Sequence, residues 1–227
     1  MKVGFIVTSH WSSKYRLDGG LFIERFCSSL NDACKYEFNL YVIDNASEFK
    51  LNVPDNANVV RIDDQTLEGI TGAWNKGIHL AYTDGCDIII NCNDDLWFND
   101  SINVFIETIC SSYNEDAIYA PLTNGVISGA QKSNASKTGI TRLACTTWPT
   151  VVNGFCFAMT KDHYKKYRFL DNMYFNPNNK HNEGDGKWGG QEGQFMENSE
   201  KGLFGCIVNE CWLPHTKVRG WKELVGK

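Results

Sequence analysis

The sequence predicts an α/β fold: a single Rossmann-like domain around a mostly parallel central sheet, with an irregular C-terminal half. Three observations carry this. Short β-rich apolar runs alternate with helix-period segments through the first 121 residues, which implies parallel strands joined by right-handed crossovers. Several of those runs end abruptly in polar clusters, as strands do when they deliver ligand groups to one edge of an open sheet. The 227 residues show neither an internal repeat nor a linker composition, so one domain is expected over 1–227, with 1–121 and 122–227 as its two halves.

The elements follow in order. Val3 to Thr8 is a first buried strand. Gly20 to Cys34 carries Leu21, Phe22, Phe26 and Leu30 at roughly helical spacing. Phe38 to Ile43 is a second strand, and Val59 to Ile62 a third. Ile70 to Tyr82 fits a helix, with Ala73, Trp74, Gly77, Ile78 and Ala81 on overlapping faces. Ile88 to Asn91 is a fourth strand. Ser101 to Cys110 is a helix with Asp100 or Asn99 as its N-cap. The second half is less regular. Ala117 to Pro121 is strand-like, and the polar Thr123 to Ala144 reads as an exposed loop or hairpin. Phe155 to Met159 is apolar, and Thr160-Lys161-Asp162 turns into a helix through Tyr167. Asn176 to Gly186 is the most loop-like segment and a candidate mobile lid. Gln191 to Lys201 reads as a helix, and Phe204 to Val208 as a last strand before a tail at Leu213-Pro214-His215.

Bulk properties narrow the function classes. A net charge of −5 offers no basic surplus for nucleic acid, though it leaves room for a ligand with two phosphates. The nine cysteines include no Cys-x-x-Cys pair, so zinc-finger spacing is absent. Their scatter through apolar runs points to a reducing, cytoplasmic compartment with few or no disulfides. No signal-peptide core or membrane-length apolar run occurs, so the expectation is a soluble or peripherally membrane-associated chain. Asn-x-Ser matches at Asn45, Asn99 and Asn134 then read as chance.

The polar strand ends are Thr8-Ser9-His10, Asp44-Asn45-Ala46-Ser47, Asp63-Asp64 and Asn93-Asp94-Asp95. Turns favour Asp, Asn and Ser anyway, which suffices for Asp63-Asp64. Asp44 and Asp95 follow buried runs, where a carboxylate is costly unless something positive meets it. The segment Gly69 to Ile78 is neither Gly-x-Gly-x-x-Gly nor a phosphate loop, so two common nucleotide folds lose support. Without a ligand it is a helix packed tightly on the sheet through Gly72 and Gly77.

These motifs, in this order, resemble the GT-A nucleotide-sugar glycosyltransferases, nearest to glycosyltransferase family 2. The pattern includes Val42-Ile43-Asp44-Asn45-Ala46-Ser47, the helix positions Ala73, Asn75 and Gly77, and the DxD-like turn Asn93-Asp94-Asp95. The resemblance covers Lys2 to about Pro121 and returns at Lys187-Trp188-Gly189-Gly190-Gln191-Glu192 and Leu213-Pro214-His215-Thr216-Lys217. It implies nucleotide contacts from Thr8, Ser9, His10, Asp44, Asn75, Asn93 and Asp94. It implies a hard divalent cation, Mn²⁺ or Mg²⁺, on Asp95 and His215. Asn93 replaces the first Asp of the turn, which leaves metal independence open. It implies Glu192 as general base, since an acceptor hydroxyl must lose its proton as it attacks; here Gln191 stands in place of the preceding carboxylate. Asn153, Gly154, Trp188 and Gly190 fall to the sugar and acceptor, and Lys217 or Arg219 to the diphosphate. The partners implied are a UDP-, dTDP- or GDP-linked sugar and a glycan or other hydroxyl acceptor. Two rivals remain. A non-catalytic nucleotide- or glycan-binding domain draws support from Asn93 and Gln191. A sugar nucleotidyltransferase is disfavoured, since Ser9 to Lys14 holds no Gly-rich basic loop.

Overall fold

The structure, a computed structural model, describes residues 1–13, 17–63, 65–124, 131–132, 137–147, 150–178 and 191–216, with backbone alone for 65–68. Its elements are β1 (Val3–Ser9), α1 (Gly19–Ala33), β2 (Phe38–Asn45), β3 (Asn58–Ile62), α2 (Gln65–Thr83), β4 (Ile88–Asn93), α3 (Ser101–Ser111), β5 (Ala117–Leu122), β6 (Ile140–Leu143), β7 (Cys156–Thr160), α4 (Lys161–Tyr167), α5 (Gly193–Ser199) and β8 (Phe204–Trp212). All eight strands join one sheet in the order β3-β2-β1-β4-β7-β5-β8-β6. The first four run parallel to one another. β7 is antiparallel to both β4 and β5, β5 and β8 are parallel, and β6 closes the far edge antiparallel to β8.

Side-chain alternation along β1 decides the layers. Val3, Phe5 and Val7 face a cluster with Ile23, Phe26 and Leu30 of α1 and Ile102, Phe105 and Ile106 of α3. Ile6 faces the other cluster, with Ala73, Trp74 and Ile78 of α2 and Phe157 of β7. A sheet covered on both faces needs continuous apolar strands, and Ile88 to Ile90 supplies such a run. The helix α2 lies so close that a Cβ on Gly77 would stand 2.3 Å from Ile6 Cγ2. Residue 77 must therefore be glycine for α2 to reach the sheet. Gly69, at φ 60°, marks a break inside α2, so the regular helix starts at Ile70 as the sequence predicts.

Three expectations need correction. Thr123 to Ala144 is not wholly an exposed loop: Ile140–Leu143 forms β6, and Gln131 is completely buried. β6 escapes the sequence because it is a four-residue edge strand with Ile140 and Arg142 both exposed, which leaves no apolar-in, polar-out pattern; Arg142 stacks its guanidinium over Phe204, 3.5 Å from the ring centroid. The final strand runs on past Val208 to Trp212, with polar Asn209 and Glu210 breaking the apolar pattern. The helix expected from Gln191 begins at Gly193, so Glu192 occupies the cap position. All nine cysteines are free thiols. No helix among the described residues is long and apolar enough to cross a membrane.

One core group sets a pH dependence. His163, on α4, is fully buried against Tyr167 and Tyr174, with Nε2 2.7 Å from the Tyr174 hydroxyl. Burial pushes its imidazole down from 6.5 to about 3, while nearby Asp116 and Lys166 pull in opposite directions. The folded protein therefore stays neutral at His163 where the unfolded chain takes up a proton. Stability from this group is complete above pH 6.5 and falls as pH drops towards 3. Between pH 7.5 and pH 5 the loss is about 2 kcal/mol. Urea unfolding at both pH values should show that loss, and His163→Gln should remove that part of the slope; an unchanged slope would refute the assignment.

Candidate functional site at the carboxyl edge of the sheet

In-register pairing of β1, β2 and β4 brings the polar strand ends together. Ser9 lies beside Asp44, and Thr8 beside both Ile43 and Asn93. Ser9 Oγ donates to Asp94 Oδ2 at 2.7 Å, and both residues are buried. Asp44 is also buried. Its Oδ1 accepts from the Ser47 backbone N–H at 2.9 Å, and its Oδ2 accepts from Arg61 Nη1 at 2.7 Å. Arg61 is the strand partner of Asp44 on β3, and its Nη2 also donates to the Ser47 carbonyl at 2.9 Å. The guanidinium supplies the positive charge that a buried carboxylate requires. His10 bridges the first two strand ends, its Nδ1 2.8 Å from the Asn45 carbonyl and its Nε2 2.9 Å from Ser12 Oγ.

The chain's tail completes this edge. Residues 95–97 pair antiparallel with 214–216: Thr216 N–H donates to the Asp95 carbonyl, and Trp97 N–H to the Pro214 carbonyl. This pairing places His215 Nε2 3.1 Å from Asp95 Oδ1, with the imidazole stacked on Phe155. These two atoms are at ion-pair distance but misaligned for a hydrogen bond, so Asp95 Oδ1 has no hydrogen-bond partner among the described residues; the other ring nitrogen, His215 Nδ1, has none either. Thr8 Oγ1, Asn45 Oδ1 and both amide atoms of Asn91 share that condition. Unpartnered buried polar atoms are expensive; those of Thr8, Asn45, Asp95 and His215 lie at strand ends on one edge and fit a surface completed by ligand or water, whereas Asn91 lies inside β4 between Ile6 and Phe157.

Metal binding rests on a small donor set. Among the described residues no three His, Cys, Asp or Glu side chains gather closely enough to hold an ion. Asp95 and His215 supply one oxygen and one nitrogen. A Mg²⁺- or Mn²⁺-type ion bound through few protein groups takes the rest of its shell from phosphate oxygens and water. The pair therefore fits a cation that arrives with a diphosphate.

Beside the end of β4, where the turn at Gly154 runs into β7, Glu192 is half-buried at the start of α5, and its Oε1 accepts from the Gly154 backbone N–H at 2.9 Å. Burial pushes its carboxyl above the usual glutamate range, and the backbone N–H groups of Glu192 and Gly154 pull it partly back. A Cβ on residue 154 would stand 2.5 Å from Trp74 Cη2, so glycine alone allows this approach. Asn153 turns the other way: its backbone N–H donates to Gln131 Oε1 at 2.7 Å, and its Nδ2 reaches the same oxygen at 3.3 Å.

Two positions acquire structural duties. Gln191 is buried and donates from Nε2 to Thr71 Oγ1 at 2.7 Å, tying α5 to the start of α2. Asn75 spends its whole amide on backbone. Oδ1 accepts from the N–H groups of Tyr174 (2.9 Å) and Phe175 (2.7 Å), and Nδ2 donates to the Phe175 carbonyl (2.9 Å). That bonding accounts for an asparagine here without any nucleotide. Asn93 is half-buried, and its N–H donates to the Phe155 carbonyl at 2.8 Å. Trp188, Gly190, Lys217, Arg219 and most of the lid candidate lie outside the described residues. The sequence reading missed Arg61 and Gln131. Arg61 left a signal, a cation on a strand beside the one ending in Asp44; Gln131 left none.

No protein-family model and no curated protein matches the chain. Solved structures do. The Staphylococcus aureus (S. aureus) protein TarS, residues 1–349, superposes with a TM-score of 0.61 at 15% identity, over 95% of this chain and 60% of that one. Its complex with UDP-GlcNAc gives 0.59 at 14%, over 98% and 61%. GalNAc-T7 with UDP, GalNAc and Mn²⁺ gives 0.64 at 14%, over 97% and 45%. The chain thus covers 60–61% of TarS 1–349, 45% of the GalNAc-T7 chain and 37% of the longer TarS chain, less than two thirds of each. A likeness that covers nearly the whole chain at such low identity is one of architecture, and the fold is that of the GT-A glycosyltransferases.

Proposed function

We propose that the protein transfers a sugar from a nucleoside diphosphate to an acceptor hydroxyl with inversion, with Glu192 as general base. One observation carries the reading. A carboxylate with raised proton affinity is held by the Gly154 N–H, on the turn that runs into β7 beside Asn93, at the same sheet edge as buried polar atoms of Thr8, Asn45, Asp95 and His215 that have no hydrogen-bond partner among the described residues. The acceptor oxygen bonds to the anomeric carbon as its proton passes to the Glu192 carboxylate. The bond from that carbon to the diphosphate oxygen breaks, and its electron pair leaves with the diphosphate. Residues 1–121 would hold the donor and 122–227 the acceptor and base.

Thr8, Ser9, His10, Asp44, Asn93 and Asp94 would face the nucleotide. Arg61 orients the Asp44 carboxylate, which would accept from a base imide or ribose hydroxyl. Asp95 and His215 would hold Mn²⁺ or Mg²⁺, which would supply positive charge beside the leaving diphosphate. UDP-GlcNAc on TarS, and UDP with Mn²⁺ on GalNAc-T7, favour a uridine donor for this chain as well.

A thermal-shift series with UDP, GDP and dTDP, with and without Mn²⁺, tests the donor half. At a hundred times its dissociation constant the right nucleotide adds about 2.7 kcal/mol, which for a chain of this size raises Tm by roughly 5–10 °C. Asp95→Ala should abolish the Mn²⁺-dependent part. No shift with any nucleotide would end the transferase reading.

A further inference from the structure

We infer that Gln131 is a positioning residue for the Glu192 carboxylate, acting through the consecutive amides of Asn153 and Gly154; this rests on the general-base reading above. Gln131 is fully buried and belongs to the segment that composition marks as exposed. A buried primary amide needs a reason, since each unpaired end is costly. Here both ends are used. Oε1 accepts from Asn153 N–H at 2.7 Å, and Nε2 donates to the Pro121 carbonyl at 3.3 Å. The Gln131 carbonyl accepts from Thr123 N–H at 2.9 Å. The next amide along the turn, Gly154 N–H, donates to Glu192 Oε1 at 2.9 Å. Two neighbouring N–H groups are thus pinned between two side-chain acceptors, one structural and one catalytic. Trp74 packs against the turn on the side of the carboxylate: a Cβ on Gly154 would stand 2.5 Å from Trp74 Cη2 and 3.1 Å from Glu192 Oε1. Contact with Trp74 and the bond from Asn153 N–H to Gln131 together hold the turn, so the Gly154 N–H stays aimed at the carboxylate.

The same short segment reaches the opposite part of the site. Thr123 Oγ1 donates to the Leu213 carbonyl at 2.6 Å, and Asn124 Oδ1 accepts from the His215 N–H at 2.9 Å. Gln131 therefore braces a strap, residues 121–124, that also fixes the tail carrying His215. A glutamine chosen only to fill space would not tie both chemical groups to one strap.

The expected consequence is specific. Without the Gln131 acceptor, the turn relaxes and the Gly154 N–H bond to Glu192 weakens. That bond favours the ionised form, so its loss raises the proton affinity of Glu192 further. In Gln131→Met, which keeps length but has no acceptor oxygen, the acid limb of the kcat–pH profile should move to higher pH. With UDP-GlcNAc as probe donor and UDP release as readout, kcat should fall about tenfold or more while the donor KM stays within about twofold. In amide NMR without ligand, the Gly154 resonance should titrate with Glu192 in the native protein, and its midpoint should shift upwards in Gln131→Met. A folded Gln131→Met with unchanged midpoint and kcat overturns the proposal. If that variant does not fold, hydrogen exchange on the native protein decides. Asn153 and Gly154 amides protected together support the proposal, and a rapidly exchanging Asn153 amide overturns it. Glu192→Gln separates the two ideas. Full turnover there defeats the general-base reading, yet the Gly154 titration shift between native protein and Gln131→Met would still report the brace.

Discussion

Glu192→Gln should lower turnover of a nucleotide-sugar donor by about 10²- to 10⁴-fold, the span general-base catalysis contributes, with donor affinity nearly unchanged. The replacement keeps shape and can still accept the Gly154 N–H at its amide oxygen, so the turn and the packing around Trp74 survive. What it loses is the ability to take a proton from the acceptor hydroxyl. The pH profile of the native protein gives a second check with a definite sign. The base works only when ionised, so the rate falls as pH drops through its pKa. Burial raises that pKa above the ordinary glutamate range, so the acid limb should lie at higher pH than that of an exposed glutamate. Single-turnover rates across pH, with nucleotide affinity measured in parallel, distinguish the outcomes. A protein that binds nucleotide and turns over equally well with glutamine at 192 does not use this carboxylate as a base. A protein that binds nucleotide and turns nothing over, even as the native chain, is the non-catalytic rival.

The same residue shows how far a sequence can be read. The first four strands and their polar ends were legible because both are local. An apolar run buries itself, and its continuation in Asn93-Asp94-Asp95 must leave the core. Parallel pairing then sets Ser9 beside Asp44 and Thr8 beside Asn93, whichever helix lies between them. The Asp95–His215 approach is different in kind, joining positions far apart in the chain through an antiparallel bridge; the sequence could offer His215 only through resemblance. Gln131 was illegible for a physical reason. Its burial depends on the turn at Asn153 arriving from elsewhere with an unsatisfied N–H, and nothing within a few residues of Gln131 records that. Polar composition predicts exposure on average, and the exceptions are side chains that hold backbone together.

Asn75 turns that lesson into the second large effect. Resemblance assigns it to the nucleotide, whereas the structure occupies both ends of its amide with the backbone of Tyr174 and Phe175. Those two aromatic residues are buried in the cluster with Trp74, Phe157 and Phe195, at the base of the chain leading towards the lid candidate. Asn75→Ala would leave two N–H groups and a carbonyl without their partner. At about 1–3 kcal/mol for each buried group left unsatisfied, a destabilisation of about 3–4 kcal/mol is expected, or a fall in Tm of roughly 10 °C. Asn75→Asp keeps the acceptor but turns a second acceptor towards the Phe175 carbonyl and buries a carboxylate, so it should also be clearly less stable than the native protein. Chemical denaturation measures all three, and nucleotide titration of the folded fraction separates the two roles. A structural Asn75 gives large stability losses with nucleotide affinity unchanged. The reverse pattern, full stability with lost nucleotide binding, would return Asn75 to the site and require the Tyr174–Phe175 backbone to be held by something else.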